Sequence, residues 1–180
     1  MLERIQTWDD KMLLRLAHKR TPILNKIMII ITTIGNNGYV WFGIAFPMLL
    51  MNRMRLTGFT MLFSMLVAWL MSEITIKNIV RRVRPCKKDF EKYLLIKDPP
   101  QYSFPSGHSA TSFAVSTAMF FTCQYLFVPT LILAFLIAFS RVYIMVHYPT
   151  DVICGALLGI ICGIASVPVA PYIPFFDFQI

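Results

Sequence analysis

The sequence predicts an all-α fold: a polytopic integral membrane bundle of five to six transmembrane helices, preceded by an amphipathic helix. Two observations predict it. Of 180 residues, 57% are hydrophobic and only 14% charged, with a mean hydropathy of +0.63, whereas soluble domains carry about 25% charged residues. The charges are also segregated. None occurs from Ile27 to Asn52, Leu56 to Ser72, Pro99 to Ser140, or Val152 to Phe176. A helix needs ~20 apolar residues to cross ~30 Å of hydrocarbon, so each stretch is read against that length. A disordered tail, a coiled coil and a secreted disulfide scaffold are excluded. The length fits one domain, 1–180.

Residues 1–20 place Leu2, Ile5, Trp8, Met12, Leu13 and Leu16 on one face, with Arg4, Lys11, Arg15 and Lys19 among them. That is an interfacial amphipathic helix, and it lacks the apolar core of a signal peptide. The bundle occupies 21–180. Pro22–Ile34 is apolar but short, and Gly35-Asn36-Asn37-Gly38 breaks it from the next apolar stretch. It reads as a sixth, strained crossing or as a half-buried re-entrant helix. Five further crossings are expected at Gly38–Arg53, Thr57–Lys77, His108–Tyr125, Val128–Tyr143 and Thr150–Tyr172. The first is short unless Arg53 and Arg55 snorkel. The hairpin turn is expected near Leu126–Pro129, with Pro129 in the first turn of the returning helix.

Of the net charge of +8, residues 77–98 contribute +5. Basic cytoplasmic loops are one reading of this excess. Nucleic acid is not an expected partner, because the cations adjoin apolar spans and no nucleic-acid module is visible. Cys86, Cys123, Cys154 and Cys162 form no CxxC pair and do not cluster with histidine, so no zinc site is expected.

Three polar clusters interrupt the apolar pattern, and ionisable groups at membrane depth call for a functional reading. Lys77, Arg81 and Arg84 recur at i, i+4 and i+7, which would line one helical face with cations. The alternative is a charged helix end at the lipid headgroups. In Phe104-Pro-Ser-Gly-His-Ser109, Ser106 reads as an N-cap, and the amides of Gly107, His108 and Ser109 form an anion site at a helix N-terminus. The alternative is an ordinary cap with an interfacial histidine. In the third cluster Arg141 ends one span and Asp151 opens the next, with Pro149 at the first helical position. Asp151 can then accept from Nδ1–H of His147, leaving Nε2 as a free nucleophilic lone pair. The alternative is a solvated loop histidine beside a capping aspartate. Counting crossings puts all three clusters on one membrane face. Fixed positive charge around a nucleophile is the arrangement that phosphoryl transfer needs.

Lys77-x6-Arg84-Pro85, Pro105-Ser106-Gly107-His108 and Ser140-Arg141-x5-His147-x3-Asp151 together resemble the three-part signature of the type 2 phosphatidic acid phosphatase superfamily. The resemblance spans motifs at 77–85, 105–108 and 140–151 and implies a membrane phosphatase domain without cofactor or metal. It implies that His147 is the nucleophile forming a phosphohistidine, that Asp151 orients it, and that His108 is general acid and then base. Lys77, Arg84, Ser106, Gly107 and Arg141 would hold the phosphate oxygens. Arg81 and Arg82, in the variable part of the first motif, would contact the headgroup or a second phosphate. The implied partners are the bilayer and a lipid phosphate substrate, with undecaprenyl diphosphate leading and phosphatidylglycerol phosphate and phosphatidic acid as alternatives. The implied location is the plasma membrane with the site on the extracytoplasmic face. Vanadium haloperoxidases resemble the same motifs, but they are soluble and larger. A non-catalytic phospholipid-binding or transport protein would need no nucleophile.

Overall fold

Eight α-helices carry the computed structural model, which describes residues 2–97, 99 and 102–172. They are α1 (Leu2–His18), α2 (Pro22–Gly35), α3 (Tyr39–Leu50), α4 (Arg55–Trp69), α5 (Lys77–Val80), α6 (Gly107–Thr122), α7 (Gln124–Tyr143) and α8 (Pro149–Ser166). By length and composition, four segments among the described residues can cross a membrane: Pro22–Leu50, Asn52–Lys87, Gln124–Tyr143 and Pro149–Ser166. Large apolar side chains such as Phe46, Leu50, Phe135 and Ile161 are exposed along these segments, as lipid-facing side chains must be.

Pro22–Ile34 falls together with α3 in one candidate span, Pro22–Leu50. α2 and α3 are two halves of one interrupted segment. α2 runs along α7, with Asn25 accepting from the Tyr143 hydroxyl at 2.7 Å and Gly35 packed on Ile137. Asn37 and Gly38, at φ 51° and 73°, break the helix, and α3 continues, with the Trp41 indole donating to Ser112 at 3.2 Å. The sequence signal for two elements is real, but neither half reaches ~30 Å alone.

Three further boundaries differ from expectation. α7 begins at Gln124, with only Cys123 between it and the end of α6, so Pro129 lies inside it. α8 ends at Ser166, just before Pro168, instead of reaching Tyr172. α1 is not simply laid on lipid. Leu13 is fully buried against Phe90, Met145 and Tyr148, whereas Ile5, Trp8, Met12 and Leu14 stay exposed.

α6 and α8 form the tightest pair. Gly155, Gly159 and Gly163 recur every fourth residue on α8. A Cβ at Gly155 would come within 2.5 Å of the Ser106 carbonyl, one at Gly159 would strike the Ala110 carbonyl, and one at Gly163 would come within 2.6 Å of Thr117 Cβ. Small residues at this spacing let backbones meet. The contact carries the second motif to the third, and the Ser106 amide donates to the Asp151 carbonyl at 3.0 Å. Gly159→Ala is therefore expected to cost about 1–3 kcal/mol, read as a lowered midpoint of thermal unfolding in detergent. An unchanged midpoint would show that the helices can part without cost.

Candidate active site

The turn between α7 and α8 builds the centre of the site. The Arg141 carbonyl accepts from the Val146 and His147 amides, both at 3.3 Å, and Met145 takes φ 64°. This folds His147 back beside Arg141. His147 is 1% exposed. Its Nδ1 lies 2.7 Å from the Ser103 carbonyl oxygen, and its Nε2 lies 3.1 Å from Arg84 Nη1. A carbonyl can only accept and a guanidinium can only donate. Nδ1 therefore carries the proton, and Nε2 keeps its lone pair. Burial first, and then the charges of Arg84, Arg141 and Lys77, push the His147 pKa well below its ordinary 6.5. The ring is neutral at pH 7.

The partner of Nδ1 differs from the one expected from the sequence. The Asp151 carboxylate stands 3.8 Å from Nδ1. It accepts instead from the Tyr148 amide at 2.9 Å and from Arg82 at 2.7 Å. The reason is its place in the first turn of α8, where it returns to cap its own helix. Its negative charge still lies behind the imidazole.

Three buried cations surround His147. Lys77 comes from the helix after a π-helical stretch at Leu70–Ile76. Arg84, before Pro85, also donates to the Val146 carbonyl at 2.8 Å. Arg141 Nη1 donates to Thr32 at 2.5 Å, while its Nε, buried, has no partner among the described residues. Gly107 opens α6 beside them, and Ser106 caps it, its hydroxyl oxygen accepting from the Ser109 amide at 3.4 Å and from the Ser109 hydroxyl at 2.9 Å. His108 Nε2 donates to Asn36 Oδ1 at 3.1 Å. A cavity of about 770 Å³ joins these groups, well within the range of small-molecule sites. Lys77, Arg84, Gly107, His108, Arg141 and His147 line its polar end. Phe42, Leu62, Met65, Leu66 and Trp69 line the other.

A cation-rich polar end with a neutral histidine, opening onto an apolar groove between membrane helices, suits an amphiphilic phosphate. Residues 57–174 match the PAP2 superfamily. The chain belongs to the PAP2 superfamily. It is 33% identical over 153 residues to the undecaprenyl-diphosphatase of Sulfolobus acidocaldarius, covering 84% of this chain and 73% of that protein. It is 28% identical over 175 residues to phosphatidylglycerophosphatase B of Bacillus subtilis, covering 87% and 80%. Among solved structures, LpxE of Aquifex aeolicus superposes with a TM-score of 0.76 at 28% identity, covering 88% of this chain and 93% of that one. The PAP2-type phosphatidylglycerolphosphate phosphatase of B. subtilis gives 0.78 at 26% identity, covering 97% and 90%. The chain is thus a PAP2 membrane phosphatase.

The PAP2 motifs do not all reach the cavity. Ser106 and Asp151 stand behind its wall. Arg81, at φ 51°, is exposed and donates to the Asn78 carbonyl at 2.8 Å. Arg82 points away from the cavity, which corrects the expected headgroup contact. Its guanidinium bridges Asp151 and Asp9, both at 2.7 Å, donates to Gln6 and Thr150, both at 2.8 Å, and lies 3.9 Å over the Tyr148 ring. Two carboxylates, two neutral acceptors and an aromatic face outcompete an exposed position.

Sequence reasoning missed four residues that touch the PAP2 groups. Asp9 is fully buried and accepts from the Thr150 amide at 3.0 Å as well as from Arg82. Ser103, Thr32 and Asn36 partner His147, Arg141 and His108. Only Asn36 had a local signal, as part of the helix break. The other three are polar residues that meet His147, Arg141 and Thr150 from 44, 109 and 141 positions away.

Proposed function

We propose that this PAP2 enzyme hydrolyses a lipid diphosphate, undecaprenyl diphosphate first among candidates, through a phosphohistidine on His147. The observation that carries this reading is the fixed tautomer of a neutral, buried His147, whose Nε2 lone pair lies among Lys77, Arg84 and Arg141. In the first step Nε2 attacks the terminal phosphorus, and the bond to the bridging oxygen breaks. Arg84 leaves Nε2 for the phosphoryl oxygens, where charge builds. His108, charged as an imidazolium beside the bound phosphate, gives one proton to the departing lipid phosphate and is left neutral. In the second step His108 takes a proton from water, the hydroxide oxygen bonds to phosphorus, and the P–N bond breaks to restore His147. Lys77, Arg141 and the Gly107 amide hold the phosphoryl oxygens throughout, and Asp151 steadies the imidazolium that forms. The apolar wall takes the tail. Lys97, also on the cavity, supplies a cation for the second phosphate in place of Arg82. A phosphate monoester such as phosphatidylglycerol phosphate or phosphatidic acid fits the same polar end.

The test is phosphate release by the purified protein with EDTA present, from undecaprenyl diphosphate, phosphatidylglycerol phosphate and phosphatidic acid. Release from the diphosphate at the highest kcat/KM supports the reading. A higher value for either monoester reassigns the substrate, and no release from any of the three contradicts it. The same reading puts the site on the extracytoplasmic face of the plasma membrane. Supporting this, Lys77, Arg82, Arg84 and Arg141 are held by partners in or behind the site, so their charge has a role besides topology. A Lys97→Cys protein lacking the native cysteines should react with an impermeant thiol reagent in intact cells. Reaction only after permeabilisation would place the site inside.

A further inference from the structure

One carboxylate lies where a phosphate should. Glu73 belongs to the π-helical stretch, and Lys77 Nζ donates to both of its oxygens, at 2.6 and 2.7 Å. The pair is largely buried, with side-chain exposures of 18% for Glu73 and 4% for Lys77. Glu73 is one of the cavity walls together with Arg84, His108, Arg141 and His147. Its Oε1 rests against Gly107, so closely that a Cβ there would run into it. Gly107 is the first residue of α6, so the carboxylate sits at the helix end that favours anions. It also takes up Lys77, which the proposed mechanism assigns to phosphate.

The electrostatics give this a purpose. Three buried cations around one cavity would be costly without a counter-charge. A carboxylate on Lys77 balances them. An incoming phosphate carries more charge, accepts more hydrogen bonds and needs the same ammonium and the same helix end, so the two anions compete. The π-helical register, which often marks functional sites, lies under the residue that would have to move.

We propose that Glu73 is an internal anion that occupies the phosphate subsite of the free enzyme and is displaced by the substrate phosphate, so that it sets phosphate affinity and hastens release of the product. This rests on the phosphatase reading above and adds a specificity-determining residue to it. Glu73 would hold back orthophosphate, which has only the polar end to bind, more than a substrate anchored by its tail.

The experiment is calorimetric titration of inorganic phosphate into the full-length protein in detergent micelles, for wild type, Glu73→Gln, Glu73→Ala and Glu73→Asp. Removing the charge is expected to tighten phosphate binding about tenfold in Glu73→Gln and Glu73→Ala, a modest share of the repulsion between two unit charges a few ångströms apart. Glu73→Asp should stay within about threefold of wild type. Unchanged or weaker binding in the first two variants would overturn the proposal and would mean that Glu73 only holds Lys77 in place. Binding by Glu73→Asp as tight as by Glu73→Gln would also overturn it, since charge would not be the cause. Phosphate release from undecaprenyl diphosphate by wild type is scored separately. Its failure alongside a tenfold shift in titration would sink the substrate reading and leave this inference standing.

Discussion

Replacing His147 with alanine is expected to reduce phosphate release by at least about 10⁴-fold, the scale on which removal of a single nucleophile acts. No other group at the polar end can take its place. Lys77, Arg84 and Arg141 are cations, His108 is turned to Asn36, and both oxygens of the Glu73 carboxylate are held by Lys77. Substrate affinity should change little, because the phosphate oxygens are held by the cations and the tail by the apolar wall. A pH effect goes with this prediction. kcat/KM reports the free enzyme, and His147 must be neutral to attack. Its pKa is pushed below 6.5, first by burial and then by Arg84, Arg141 and Lys77. The acid limb of kcat/KM should therefore fall below pH 6.5, with activity lost as protonation reaches Nε2. An acid limb at or above 6.5 would mean that the ring is solvated, or that another group is being titrated.

The second large effect concerns His108, and it depends on the step observed. As general acid and base, His108 should contribute about 10²–10⁴-fold to turnover. Its two tasks are unequal for different substrates. Cleaving a diphosphate expels a phosphate monoester, whose second pKa of about 6 makes it a good leaving group without help. Cleaving a lipid phosphomonoester expels an alkoxide, which needs the proton. In His108→Ala, attack on undecaprenyl diphosphate should stay fast while hydrolysis of the P–N bond slows, giving a burst of about one lipid phosphate per protein followed by a stall. With phosphatidylglycerol phosphate the first step should slow as well, and the burst should vanish. Equal bursts with both substrates would deny His108 the role of acid. A full steady-state rate with both would deny it any part in proton transfer.

The motifs that supply the candidate site are legible because lipid makes them conspicuous. Lys77, Arg84, Arg141, His108, His147 and Asp151 stand in or beside stretches otherwise without charge, and counting crossings places them together. The structure brings Lys77, Arg84, Gly107, His108, Arg141 and His147 to one cavity. The partners are hidden from the sequence. Asp151 sits four residues from His147, as an aspartate serving Nδ1 should, yet the bond goes to a backbone carbonyl at Ser103. A carbonyl leaves no trace in residue identity. Arg82 looks like its neighbours in a basic run, and only the fold shows Asp9 of α1 reaching across to claim it. The fold obeys the same logic. Apolar stretches mark the crossings, but Pro129 reads as a boundary where packing carries the helix through it. Pro22–Ile34 and Gly38–Arg53 read as separate elements because the break at Asn37 and Gly38 interrupts what is one candidate span. The glycines of α8 are in plain view at every fourth position. Their purpose appears only with α6 set against them.

Covalent capture bears most directly on the central assignment. The His108→Ala protein, mixed with undecaprenyl diphosphate labelled in its terminal phosphate and quenched in alkali, should carry close to one label per chain. Peptide mapping should place that label on His147, and it should be lost in acid, as a phosphorus–nitrogen bond requires. Label on any other residue, or product formed with no labelled protein at any time point, would contradict a phosphohistidine at His147.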